Sequence, residues 1–347
     1  MGPASAPVIA LDGRGAERGA DALAEGALEA TNDGIALRVF GDLAELSRLD
    51  GASGIELIDA PDAVTNEDEP VAAVRSREGA SIVLAAADVA DGRSQALVSA
   101  GPTGATMAAS TFALRRIHGV RRPALAVQLL VPGRDGPPTL LLDVGANSEV
   151  RPRDLVQFAY LGSAFSSAVL GVDRPRVALL SVGEESGKGT QTVTEAHAEL
   201  SGAQGLDFTG NVEGRDLLAG TADVIVTDGF TGNVALKTIE GTARTVAEAV
   251  RAAAQSGPVA MAGGALLRGA LGDLRRQMDP DTTGGAVMLG LRGVAVVGHG
   301  SSGPAGIANA IRVAATCVRE RAVSRTAELL EATGSTRAAL RDRKGAQ

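Results

Sequence analysis

Asp223-Val-Ile-Val-Thr-Asp-Gly-Phe-Thr-Gly-Asn-Val-Ala-Leu-Lys237 decides the fold class of this chain. It opens with a short β-branched run of the kind that fills a strand buried on both faces. Glycines 229 and 232 follow among small polar residues, and then an Ala-rich stretch predicts a helix over Gly232–Ala254. Strand, glycine turn and helix make half of a βαβ unit, and the same order recurs along the sequence. Further strands are predicted at Val8–Leu11, Ile35–Phe40, Gly54–Ile58, Ala96–Ser99, Leu140–Asp143, Val177–Ser181 and Val294–Gly298. Helices are predicted at Ala20–Ala30, Thr103–Arg116, Pro152–Val169, Thr190–Leu200 and Ala305–Ala332. The expectation is an α/β fold with a largely parallel sheet.

Composition bounds the function. With 347 residues, 45% of them hydrophobic, the chain has ample core for one large α/β domain or two smaller ones. Its 45 glycines follow no fixed period, which excludes collagen and points to many tight turns. A net charge of −8, with no Trp and one Tyr, disfavours nucleic acid, which needs a basic surface and stacking rings. The single Cys317 rules out an internal disulfide and fits a reducing compartment. It stands in an apolar run and reads as a core residue. No charged-then-apolar leader and no apolar run near the ~20 residues of a membrane span are evident, so the expected location is cytoplasmic.

The glycine turns carry the chemistry. They read Asp12-Gly13, Gly101-Pro-Thr103-Gly104, Asp143-Val-Gly-Ala-Asn147, Gly183-Glu184-Glu-Ser-Gly-Lys188-Gly189, Asp228-Gly-Phe-Thr231-Gly232-Asn233 and Gly298-His299-Gly-Ser301. Ligands of parallel sheets bind beyond the carboxyl ends of strands, and glycine lets the backbone approach them closely. Helix N–H groups behind such turns suit a phosphate or phosphorylated group.

Better-known motifs fail. The 183–189 turn lacks P-loop spacing, and Gly189 follows Lys188 where Ser or Thr is needed. The first turn misses the dinucleotide pattern at Arg18, and no G-x-S-x-G elbow occurs. His118, His197 and His299 lack zinc spacing. Mg²⁺ on Glu184, Glu185 or Asp228 is a minor alternative; neither metal nor cofactor is expected. Acyl transfer to phosphate fits the available groups, because it needs an anion cradle, a cation and an oxyanion donor but no protein nucleophile. Backbone N–H groups, Lys188 and the amides of Asn147, Asn211 and Asn233 are at hand. The bland alternatives are a solvated loop lysine at 188 and a capping residue at 233.

Six segments in order resemble the bacterial phosphate acyltransferase family (PlsX) over residues 7 to 330. They are Ser99–Met107, Leu141–Asn147, Val182–Gly189, Gly210-Asn211-Val-Glu213-Gly-Arg-Asp216, Thr227–Lys237 and Gly298–Ser302. The resemblance implies a three-layer α/β/α fold related to phosphotransacetylases and isopropylmalate dehydrogenase-like enzymes. It also implies a cytoplasmic homodimer at the inner face of the membrane, moving a fatty acyl group from acyl carrier protein to inorganic phosphate for phospholipid synthesis. Under it Lys188 and Asn233 become the catalytic candidates. Thr103, Gly104, Asp143, Asn147, Glu184, Asn211, Glu213, Asp228, Thr231, Gly232, His299 and Ser301 become candidate phosphate or substrate contacts. The chain departs from the family pattern at Asp12–Glu17, Pro102, Thr190, Gln191, Thr283, Gly303 and Ala305. These departures leave two rivals: an acyl-CoA-dependent enzyme, and a weakened homologue that binds without turnover.

Residues 1–333 are expected to form one domain, with 334–347 as a polar tail. Within it, 255–283 breaks the βαβ rhythm as a protruding helical excursion. There Leu266, Leu267, Ala270, Leu271, Leu274 and Met278 recur at helical spacing, with Arg268, Arg275 and Arg276 away from the stripe's centre. An ordinary packed helix, a membrane-surface helix and a docking face for the acidic carrier protein compete, with Leu267, Arg268, Leu271 and Arg275 as the candidate contacts.

Overall fold

The buried β-branched runs pair into one sheet. The computed structural model describes residues 6–134, 136–278 and 280–333, without the side chains of residues 270, 271 and 273–280. Its strands are β1 (Val8–Asp12), β2 (Ala36–Gly41), β3 (Ile55–Asp59), β4 (Ala96–Ser99), β5 (Ala124–Leu129), β6 (Thr139–Leu142), β7 (Arg176–Leu180), β8 (Asp207–Val212), β9 (Val224–Val226), β10 (Ala286–Leu289) and β11 (Val294–Val297). They lie in the order β3-β2-β1-β4-β11-β10-β5-β6-β9-β7-β8. Strands β3, β2, β1, β4 and β11 are mutually parallel, as are β6, β9, β7 and β8. Between these halves β10 and β5 are each antiparallel to both neighbours. The two parallel halves therefore run in opposite directions. The β10–β11 hairpin joins them, pairing β11 with β4 and β10 with β5.

Helices are α1 (Gly19–Thr31), α2 (Pro70–Ser76), α3 (Ser81–Ala90), α4 (Thr103–Leu114), α5 (Pro152–Val169), α6 (Gln191–Ser201), α7 (Gly229–Ala254), α8 (Pro258–Met278), α9 (Pro280–Thr283), α10 (Pro304–Arg319) and α11 (Ala322–Ala332). One face of the sheet packs on α1, α5, α6, α10 and α11 through residues such as Leu23, Phe158, Leu200, Ile311 and Leu330. The other packs on α2, α3, α4 and the first turns of α7 through Val74, Ile82, Ala109, Leu236 and Ile239. The fold is three-layered, α/β/α. Cys317 is buried in the first of these cores, and burial pushes its thiol up to about 12.

All eight strands expected from the sequence are present; β5, β8 and β10 were not expected. Two of these are the antiparallel strands, which no helix follows directly, so a βαβ template does not register them. β8 is an edge strand interrupted by Gly210 and half exposed. The helix expected over Ala305–Ala332 is two helices, broken where Arg321 takes a left-handed conformation with φ 53°. The excursion contains α8, which packs on α7 and α9.

Candidate active site

A cavity of about 560 Å³ opens over the seam where the halves meet. Alternation along β5 sends Leu125, Val127 and Leu129 to its wall, while Ala124 and Ala126 face the opposite core. Met107, Leu236 and Ile239 extend the apolar surface. Polar groups enter from both halves: Thr103 and Gly104 open α4 after β4, and His299 follows β11. From the opposing half come Gly145 after β6 and, on α7 after β9, Asn233, Lys237 and Glu240. Their spacings of four and three put those three on one helical face.

Lys237 is held firmly. Its Nζ donates to Glu240 Oε2 at 2.8 Å and lies 2.9 Å from His299 Nε2. An ammonium only donates, so Nε2 accepts, and Nδ1 on the far side of the ring lies 2.7 Å from Ser301 Oγ and 3.3 Å from Ser301 N. Ser301 thus orients His299. Sequence reading missed Lys237, although it closes the quoted 227–237 segment. The signal was its place two turns into α7, on the same face as Asn233.

Several expected contacts instead lock the loops. Asp143 is fully buried and accepts from Leu125 N (3.0 Å), Ala146 N (2.9 Å), Gly145 N (3.3 Å) and Asn147 Nδ2 (2.7 Å). Burial raises its carboxyl above the usual range, and these hydrogen bonds oppose the rise. Asn147 Nδ2 also donates to Pro123 O at 2.8 Å. Asp228 caps α7, one oxygen accepting from Thr231 N at 2.9 Å and the other from Thr231 Oγ at 2.7 Å. A Cβ on Gly232 would collide with the Asp143 carbonyl oxygen, and one on Gly229 would meet Asn147 backbone at 2.8 Å. These glycines let α7 start against the 143–147 turn.

The 181–189 turn is arranged differently. Lys188 is exposed, does not line the cavity, and makes no ion pair among the described residues. The loop's backbone is pinned by Ser181 Oγ donating to Lys188 O (2.9 Å) and Asn211 Nδ2 donating to Glu185 O (2.9 Å). Asn211 Oδ1 is buried without a hydrogen-bond partner among the described residues. Arg215 pairs with Glu184 at 3.0 Å and Glu213 at 3.3 Å, occupying both carboxylates. The first turn is tied to β4 through buried Asp12, which accepts from Ser81 Oγ (2.6 Å) and Ser99 Oγ (2.7 Å). Of the residues expected from sequence, the cavity therefore gathers Thr103, Gly104, Asn233 and His299. On the excursion Leu266, Leu267 and Arg268 are exposed, and the side chains of Leu271 and Arg275 lie outside the described residues.

Residues 8–325 match the model of a family described as fatty acid synthesis protein. Over 277 residues the chain is 46% identical to a phosphate acyltransferase of Elusimicrobium minutum, covering 80% of each protein. Among solved structures it resembles a phosphotransacetylase from Streptococcus pyogenes at TM-score 0.59 and 16% identity, over 91% of this chain and 95% of the other. A 4-hydroxythreonine-4-phosphate dehydrogenase from Klebsiella pneumoniae matches at TM-score 0.51 and 15% identity, over 89% and 98%. The structural matches show the fold shared with transacylases and dehydrogenases.

Proposed function

The chain belongs to the fatty acid synthesis protein family, and from that premise we propose that it moves a fatty acyl group from acyl carrier protein to inorganic phosphate. The enzyme is a phosphate acyltransferase, and acyl phosphate for phospholipid synthesis is its product. The observation that carries the reading is the seam cavity. Its walls are hydrocarbon from β5, α4 and α7, suited to an acyl chain, and cationic and amide groups stand at Lys237 and Asn233. Its volume is within the range of roughly 300–1,000 Å³ usual for small-ligand sites.

A phosphate oxygen attacks the thioester carbonyl, the carbon–sulfur bond breaks, and the thiolate takes up the phosphate's proton. No protein nucleophile is required. In this reading Asn233 donates to the developing oxyanion or to phosphate, and exposed Lys188 supplies positive charge from the 183–189 turn. Removing one oxyanion donor typically costs about 10²–10³ in rate. Asn233→Asp is expected to cost that much without changing the melting temperature, because residue 228, not 233, caps α7. Full activity of Asn233→Asp would remove the residue from the chemistry.

The deciding experiment is thiol release from acyl carrier protein, expected only when enzyme and phosphate are both present. Release from acyl-CoA but not from the carrier protein would favour the rival donor, and no release from either the weakened homologue. The enzyme works in this reading as a cytoplasmic homodimer at the inner membrane face. No helix among the described residues is long and apolar enough to cross a membrane. Exposed Leu266 and Leu267 beside Arg268 support a surface contact with lipid or carrier protein. Leu267→Glu is expected to abolish co-sedimentation with anionic vesicles and leave thiol release in solution intact.

A further inference from the structure

Lysine is rare in this chain: Lys188, Lys237 and Lys344 are the three lysines among 33 basic residues. Among the described residues Lys237 is the lysine that lines the seam cavity. A compact ammonium on a long stem differs from a planar guanidinium in gripping a single oxygen as a point charge. Two of its three protons are assigned, to Glu240 Oε2 and His299 Nε2, and the third has no partner among the described residues. Asn233, one turn earlier on the same helical face, also lines the cavity. Around them the wall is largely apolar, so an entering anion finds its charge complement concentrated on this face of α7.

The geometry points to Lys237 as the residue that holds the phosphate during transfer, with His299 and Glu240 as its positioning residues. This inference rests on the phosphate acyltransferase reading. Lys237 moves no proton: it keeps its charge while the phosphate oxygen bonds to the acyl carbon and the thiolate departs, and the same contact then holds the acyl phosphate formed. Glu240 lies 2.8 Å from the ammonium and balances its charge before phosphate arrives. His299 accepts from the ammonium and is itself steadied by Ser301, so it sets the direction of the free proton.

Two experiments test the assignment. In steady-state kinetics Lys237→Gln is expected to raise the phosphate KM about 10–100-fold, the loss of a charge-assisted contact. The KM for acyl carrier protein is expected to stay within twofold and Lys237→Arg to recover part of the loss. His299→Gln is expected to raise the phosphate KM less than Lys237→Gln. An unchanged phosphate KM in folded Lys237→Gln overturns the assignment, and so does an equal rise in both KM values. The second experiment uses the unaltered protein and does not depend on a variant folding. Amine acetylation is mapped by peptide mass, with inorganic phosphate expected to protect Lys237 selectively relative to Lys344. Protection by phosphopantetheine but not by inorganic phosphate would assign the lysine to the carrier's phosphodiester instead and overturn the proposal. Absence of any phosphate-dependent thiol release from the unaltered enzyme would sink the functional reading, whereas phosphate protection of Lys237 would still uphold the binding site.

Discussion

Two glycine turns that look alike in sequence do different things in the fold. The turn opening α7, residues 227–233, is packed: its glycines lie against the 143–147 backbone and Asp228 is spent on capping. The 181–189 turn is open, with Glu184 through Thr190 exposed and Gly187 facing empty space. Glycine serves close approach of two backbone segments in the first; in the second an added carbon would meet only side chains, at 2.9 Å for Gly183 and 2.8 Å for Gly189, and nothing at Gly187. A glycine-rich turn after a strand is thus evidence of a turn, and its neighbours decide whether it binds a ligand or another piece of backbone.

The sharpest way to break this contrast is to add one methyl group to each turn. Gly232→Ala forces the α7 start away from Asp143 and is expected to cost about 3 kcal/mol by denaturant unfolding. An unchanged midpoint would show that α7 does not depend on that contact. Next in size, Asp143→Asn leaves at least one of four chain donors facing an amide, and a loss of about 2 kcal/mol is expected from the same measurement. A smaller effect is expected in the open turn, where Lys188→Ala leaves the melting temperature unchanged and raises the phosphate KM by about tenfold. Unaltered phosphate kinetics would leave Lys188 as a solvated loop residue. Smallest is Gly187→Ala, expected within about 0.5 kcal/mol of the parent because nothing lies near its added carbon. A large loss there would mean that the open turn is packed after all.

The parallel halves were legible because each strand is a short apolar run closed by a glycine turn and followed by a helix. The seam was not. Ala124–Leu129 is as apolar as its neighbours but is followed by Leu130-Val-Pro-Gly and no helix, and nothing local says that its partners run the other way. For the site, Asn233 and His299 were within reach of motif reading, since both sit in polar glycine turns. Lys237 was not, because it lies two turns inside a helix and reads as an ordinary solvent-facing lysine until β11 brings His299 beside it. Asp143 and Asn147 show the converse: polar residues at a strand end whose hydrogen bonds are consumed within the chain.

The placement of the β10–β11 hairpin has a consequence for how the molecule is made. A ribosome delivers every other strand before residue 286, yet β4 and β5 have no partners toward one another until the hairpin arrives. Without the hairpin the strand pairings fall into two sets, β3-β2-β1-β4 and β5-β6-β9-β7-β8, each ending in an apolar edge strand open to wrong pairing. The same late segment supplies Ala286, Val297 and His299 to the cavity, so the pocket comes into being only after that segment has been made. A chain stopped before residue 286 would be left with two sticky edges and no place for a substrate.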